Sequence, residues 1–309
     1  MDHIVIGDQL VELNLMFISF SEGLAALLGR QIGNRRKLKC LDFSESRFLQ
    51  DGPWLFAQGL ALNCTLETVN FADCNLMDES LAHLVNALHH KQPLANLDIS
   101  FNKCRSRGVA ALANMITHKE SLRELSMGFQ AFGESKQIEL QPLFIALSNS
   151  NSKLVRLEIG GNSICDDDVP YLMDMLCINS SVSSLDLSGN RISDAGIQVL
   201  SARLNDVKGL RHLALEENNI QSPSLEAMAR ALKSNLSLSD VELDESLGSS
   251  DGVNQESWRK LAYFLDLNWG GRRLINEERD ALPGSLWPLI LARASRPQDF
   301  NFARDVKQQ

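Results

Sequence analysis

The stretch Ser183–Leu200, SSLDLSGNRISDAGIQVL, decides the fold. Leu185 and Leu187 flank Asp186 in the alternation of a short strand with one buried face. A Gly189-Asn190 pair breaks that alternation, and Ser193-Asp194 then opens a segment of helical character. A strand and a helix this short cannot bury their apolar sides alone. The question is therefore whether the chain repeats the unit.

It does. The pattern L-x-x-L-x-L-x-x-N recurs from Leu10, Leu38, Leu66, Leu94, Leu122, Leu154, Val182, Leu210 and Leu238, in steps of 28 residues with a single step of 32 after Leu122. The fourth and sixth residues of a unit are apolar, as in Leu41 and Phe43, Leu97 and Ile99, or Leu157 and Ile159. About ten residues on, the period changes to i, i+3, i+7, in Leu81, Leu84 and Leu88, in Val109, Leu112 and Ile116, and in Val169, Leu172 and Leu176. Both stripes are buried only if the units stack. The predicted fold is α/β: a right-handed solenoid arc with a parallel β-sheet on the concave face and helices on the convex face. The repeats resemble the leucine-rich repeats of the ribonuclease-inhibitor-like class, which implies a strand–loop–helix–loop unit and binding of proteins by the concave face.

On this reading residues 1–9 are a short N-terminal edge, 10–246 are nine repeats, and 247–309 are a helical cap and tail. Trp258, Leu261, Phe264, Leu265 and Trp287 are expected to cover the exposed core of the last unit. The ninth unit position holds Asn102, Gln130, Asn162, Asn190 and Asn218, with Ser46, Cys74 and Ser246 as substitutes; side-chain amides there are expected to form a structural ladder that pairs the loop leaving each strand. Asp78, Asp166, Asp194 and Ser222 are expected to cap their own helices. Three N-x-[ST] matches, at Asn63, Asn179 and Asn235, fall three residues before a repeat start and read as left-handed helix C-caps rather than glycosylation sites. Ala131–Gln137, in the longer fifth unit, reads as a loop on one rim.

Chemistry-bearing patterns are few. Gly248-Ser249-Ser250-Asp251-Gly252 matches G-x-S-x-G, but all six histidines precede it, opposite to the chain order of a hydrolase of that type. No phosphate-binding G-x-x-x-x-G-K-[ST] occurs. His83, His89 and His90 lack a partner at ligand spacing, and Asp166–Asp168 suit a helix start rather than a calcium loop. Neither metal nor cofactor nor catalysis is expected. Six cysteines at assorted unit positions suit reduced thiols, and no apolar run reaches the length of a membrane span. An intracellular location, cytoplasmic or nuclear, is the expectation.

Charge is the remaining signal. Unit positions 3, 5, 7 and 8, expected to face the concave side, hold fourteen acids: Glu12, Asp42, Glu45, Asp73, Asp98, Glu124, Glu158, Asp186, Glu216, Glu217, Asp240, Glu242, Asp244 and Glu245. Arg156 and the titratable His212 stand against them. The whole chain carries a formal −9 and residues 252–309 carry nine basic against seven acidic groups, so the rest of the chain bears −9 − 2 = −11. Nucleic acid is thereby disfavoured. The expected function is a non-enzymatic scaffold that binds a basic protein through Asp42, Asp98, Glu158, Asp186, Glu216, Glu217, Glu242, Asp244 and Glu245, with Phe101 and Phe129 as apolar anchors. Two alternatives share the repeat. One is a GTPase-activating protein for a Ran-type small GTPase, acting through loop arginines Arg47, Arg105, Arg107 or Arg191. The other is a fragment or relative of a larger leucine-rich-repeat receptor or actin regulator.

Overall fold

The structure is a computed structural model and describes residues 6–88, 93–130, 138–148, 152–244, 246–249 and 252–270. Along the chain the elements are β1 Glu12–Asn14, β2 Ser19–Phe20, α1 Glu22–Gly33, β3 Cys40–Asp42, β4 Arg47–Phe48, α2 Gly52–Leu60, β5 Thr68–Asn70, α3 Asp78–Ala87, β6 Asn96–Asp98, α4 Ser106–His118 and β7 Glu124–Ser126. There follow α5 Gln141–Leu147, β8 Arg156–Glu158, α6 Val169–Ile178, β9 Ser184–Asp186, α7 Asp194–Arg203, β10 His212–Ala214, α8 Ser222–Leu232, β11 Asp240–Glu242, α9 Ser246–Ser249 and α10 Gly252–Trp269. Among the described residues nine strands make one parallel sheet in chain order, from β1 to β11, and β2 pairs with β4 beside it. Glu12 faces Cys40, Cys40 faces Thr68, and the same step carries the register to Asp240; between β7 and β8 the step lengthens, so that Glu124 faces Arg156.

This register stacks each strand's central residue on the next. Leu41, Val69, Leu97, Leu125, Leu157, Leu185 and Leu213 form a buried column between sheet and helices. Leu84, Leu112, Leu143, Leu172, Leu200 and Leu232 close it from the helix side, and every one is buried. A fully buried leucine contributes roughly 2 kcal/mol, so the column holds the arc together. At its N-terminal end aromatic rings fill the core: Phe43 lies 5.1 Å from Phe56 and 5.6 Å from Phe71 between ring centroids. At the other end α10 packs on α8, with Leu261 buried and Trp258, Phe264 and Leu265 partly so. Ala131–Gln137, His89, His90 and Trp287 lie outside the described residues.

The helix caps differ from the sequence expectation. Asp78 stands first in α3, yet its carboxylate makes no bond to that helix's own start; it accepts the backbone N–H groups of Arg105, Arg107 and Gly108, which open α4. Asp166 likewise accepts the N–H groups of Ser193 and Gly196 and the Ser193 hydroxyl, at the start of α7. Asp194 takes the Gln221 N–H and the Ser224 hydroxyl beside α8. Each aspartate caps the helix of the following unit. Adjacent helix starts lie side by side in a solenoid, so the nearest orphan N–H groups belong to the neighbour. Gly108 and Gly196 permit this approach, because a Cβ at Gly196 would overlap the Asp166 carboxylate and one at Gly108 would meet Asp78 Oδ1 at 3.1 Å. Asp166→Ala is therefore expected to cost about 2–3 kcal/mol, above the ~1 kcal/mol of an ordinary cap. The cost should be non-additive with Ser193→Ala in a double-mutant cycle read by thermal unfolding; additive effects would place the cap on α6 instead.

The three N-x-[ST] matches also need a new account. Asn63, Asn179 and Asn235 are buried, and none has a positive φ. Their amide groups donate to carbonyls of the preceding unit, Asn63 to Ile32 and Arg35, Asn179 to Leu147, and Asn235 to Leu204 and Val207. Their oxygens accept N–H groups two and three residues on, as Asn235 does from Ser237 and Leu238. The hydroxyls of Thr65, Ser181 and Ser237 donate to Leu38, Ser152 and Val207. Each match is thus a two-residue clamp behind a helix, and its amide nitrogen is sealed from modification in the folded chain. Asn268 of α10 repeats the clamp by donating to the Asn235 and Leu238 carbonyls.

Candidate functional site

Loop geometry on the strand-exit side is fixed from inside. The amides of Asn102, Asn162, Asn190 and Asn218 each donate to a carbonyl of their own unit and to one of the unit before, and each oxygen accepts a loop N–H. Gln130 spans the same places by donating to the Ile99 carbonyl and accepting the Cys104 N–H. The Cys74 thiol donates to the Phe43 carbonyl, and burial pushes its pKa up to about 12, so it remains a neutral donor.

Above this ladder the eighth unit position is left-handed in every unit that has a described residue there before β11. Phe17, Glu45, Asp73, Phe101, Phe129, Gly161, Gly189 and Glu217 all have φ between 51° and 67°. The backbone N–H there donates to the seventh-position carbonyl of the next unit, Asp73 to Ser100 and Phe101 to Gly128, for example. Positions 7 and 8 thus belong to the exit loop, not to the strand. A left-handed conformation disfavours bulky residues, yet Phe101 and Phe129 occupy it and stack face to face, with centroids 4.7 Å apart and planes 2° from parallel. Gly161 makes room, since a Cβ there would press into the Phe129 ring.

The candidate acids divide by what holds them. Asp42, Asp98 and Asp186 are half-buried, and each accepts the N–H two residues on, at Ser44, Ser100 and Ser188. They shape the turn first. Glu158 accepts the Ser126 hydroxyl at 2.7 Å and lies 3.6 Å from the Arg156 guanidinium. Asp244 accepts the Glu217 N–H at 3.0 Å. Its side chain stands where the seventh-position backbone carbonyl stands in earlier units. Asp244 thus holds a turn besides adding to the acidic cluster, and reversing it would loosen the Glu217 turn. Glu216, Glu217 and Glu242 are exposed, and Glu245 lies outside the described residues.

His212 sits within this end. Its Nδ1 is 2.7 Å from an Asp240 carboxylate oxygen. The bond to Asp240 raises the imidazole's pKa, against partial desolvation, with Asp240 and Glu242 adding attraction. The loop arginines are spread over three different units. Arg47 lies in β4, Arg105 and Arg107 line an open groove with Met77, Asp78, Glu79 and Lys103, and Arg191 bridges to Cys165. Arg107 pairs with Glu79 at 3.0 Å. The sequence missed the Asp240–His212 pair and the role of Asp244, although a histidine and an aspartate one repeat apart were the signal for the first.

The repeats are similar to those of known proteins. A family model described as Leucine Rich repeat matches residues 179–201. The human NACHT, LRR and PYD domains-containing protein 13 is 30% identical over 101 residues, 33% of this chain and 10% of that protein, so the chain matches about a tenth of that relative's length. Among solved structures, the C-terminal domain of tropomodulin from Caenorhabditis elegans is 17% identical with a TM-score of 0.45, covering 54% of this chain and 97% of that one. Leiomodin-1 actin-binding site 2 is 18% identical with a TM-score of 0.43, covering 56% and 95%. An internalin from Listeria monocytogenes is 16% identical with a TM-score of 0.41, covering 82% and 86%. The parallel register and the family match over residues 179–201 agree that this chain is a solenoid of leucine-rich repeats.

Proposed function

We propose that the chain is a non-enzymatic, intracellular scaffold of ribonuclease-inhibitor-like repeats over residues 10–246, and that it binds a basic protein through the C-terminal end of its concave side. The observation that carries this reading is the cluster Glu216, Glu217, Asp240, Glu242 and Asp244 on two successive units, with the titratable His212 among them. Asp42, Asp98, Glu158 and Asp186 extend the same sign along the sheet, and the Phe101–Phe129 stack offers an apolar anchor further along. Acids bonded to turn N–H groups are held in place, and they add to the field without having to move. Among the described residues no helix is long and apolar enough to cross a membrane.

Glu217→Lys with Glu242→Lys tests the reading. Both side chains are exposed, so the fold should tolerate the change. Proteins retained by the immobilised wild-type chain at low salt should be basic, and should associate with the double variant roughly tenfold more slowly or worse, a gap that narrows in high salt. Equal association rates for both chains at both salt concentrations would reduce these acids to a solvated surface.

A further inference from the structure

His212 and Asp240 face each other in the register of β10 and β11, and Glu242 lies two residues further along β11. Alternate residues of a strand share a face, so all three side chains rise from one side of the sheet. One ligand-capable atom from each lies within 4.8 Å of those from the other two. The ring is half-buried and held by Asp240, while Asp240 and Glu242 are exposed.

We propose that His212, Asp240 and Glu242 form a binding site for one Zn(II) ion at the C-terminal end of the sheet. The proposal does not depend on the partner reading, although the two share residues. The donor set favours this ion: one imidazole nitrogen and two carboxylate oxygens leave a fourth, water-filled position of a tetrahedron. Calcium and magnesium need six or more oxygens. Two carboxylates neutralise the dication in a part of the surface that is otherwise acidic, and Arg156, a cation whose charge acts on His212, pairs with Glu158 at 3.6 Å. Zinc–ligand bonds of about 2.0–2.2 Å put ligand atoms about 3.4 Å apart in a tetrahedron. His212 Nδ1 and the Asp240 oxygen, 2.7 Å apart, exchange their hydrogen bond for bonds to the metal and part slightly, while the atoms up to 4.8 Å apart draw in; side-chain rotation provides both while the backbone ladder stays fixed. Metal spacing is invisible along the chain because the ligands come from two repeats.

The test uses the metal alone on the full chain. Competition of ZnCl2 between the protein and a chromogenic chelator should report one site, and His212→Ala should weaken it about tenfold or more. Glu242→Gln, an exposed and nearly isosteric change, should weaken it as well, with circular dichroism unchanged in both variants. Co(II) in place of zinc should give visible ligand-field bands without a near-ultraviolet thiolate band. Absence of zinc uptake by the wild type, equal uptake by His212→Ala, or a thiolate band that places the ion on a cysteine would each overturn the proposal.

Discussion

Gly59→Ala should destabilise the N-terminal end of the solenoid by about 3 kcal/mol or more, whereas Gly23→Ala, the same change one helix earlier, should be neutral or slightly stabilising. The two glycines differ in what lies against them. A Cβ at Gly59 would overlap the backbone of Gly29 and Arg30, whereas one at Gly23 would meet nothing within 4 Å. Gly29 and Gly33 complete the contact from the α1 side, because a Cβ at either would strike the backbone oxygen of Phe56 or Gly59. Two helices in backbone contact cannot yield by rotating a side chain. They must separate, and separation opens the core around Phe20, Phe43 and Phe56. Thermal unfolding and hydrogen exchange read this directly. Lost protection should be confined to α1, α2 and the strands beside them, since each repeat contacts only its neighbours. A Gly59→Ala chain that melts with the wild type would mean that α1 and α2 are not this close.

The contrast between these glycines marks where sequence stops being informative. The repeat was legible because each unit carries two apolar stripes at a fixed distance, and stacking is their sole means of burial. Partners across the repeat boundary were not. Asp78, Asp166 and Asp194 stand one residue after the N-cap of a helical segment, and only the lateral packing of helices turns their carboxylates to the next unit. The N-x-[ST] matches carried a usable signal in their constant phase and in the hydroxyl two residues on, yet reading them as left-handed caps overlooked their burial.

The acidic surface was legible as a count and not as an arrangement. Position 5 aspartates were grouped with Glu217 and Glu242, although the former are bonded to turn N–H groups and the latter are not so engaged in any bond described above. The role of Asp244 is local: its carboxylate takes the N–H that its own seventh-position carbonyl would take by the pattern of earlier units, and a repeat pattern does not announce which atom of a residue accepts. Register shows that Phe101 and Phe129 stand one repeat apart at the same unit position, while their left-handed backbone and their stacking required the loop geometry.

Asn162→Ala should cost about 4 kcal/mol and divide the solenoid near its middle. Asn162 is 1% exposed. Its oxygen accepts the Gln130 N–H at 2.9 Å, and its amide donates to the carbonyls of Met127 at 2.9 Å and Ile159 at 3.2 Å. Truncation orphans one donor and two acceptors in a space no larger than the lost side chain, and each unsatisfied buried group costs roughly 1–3 kcal/mol. Partial relaxation keeps the total below the sum. Asn162→Asp should be at least as damaging, since it retains the acceptor but turns a buried charge toward two carbonyls. Asn162→Gln should cost markedly less, because Gln130 fills the equivalent place one unit earlier with a donor 2.7 Å from Ile99 O and an acceptor 2.9 Å from Cys104 N. The order Gln, then Ala and Asp, read by denaturant unfolding with exchange of the Gln130 N–H as a local probe, separates a hydrogen-bond ladder from mere volume filling. Were Ala and Gln equally mild, the loops would be held by the strands and helices alone, and the repeated amide would be incidental to their geometry.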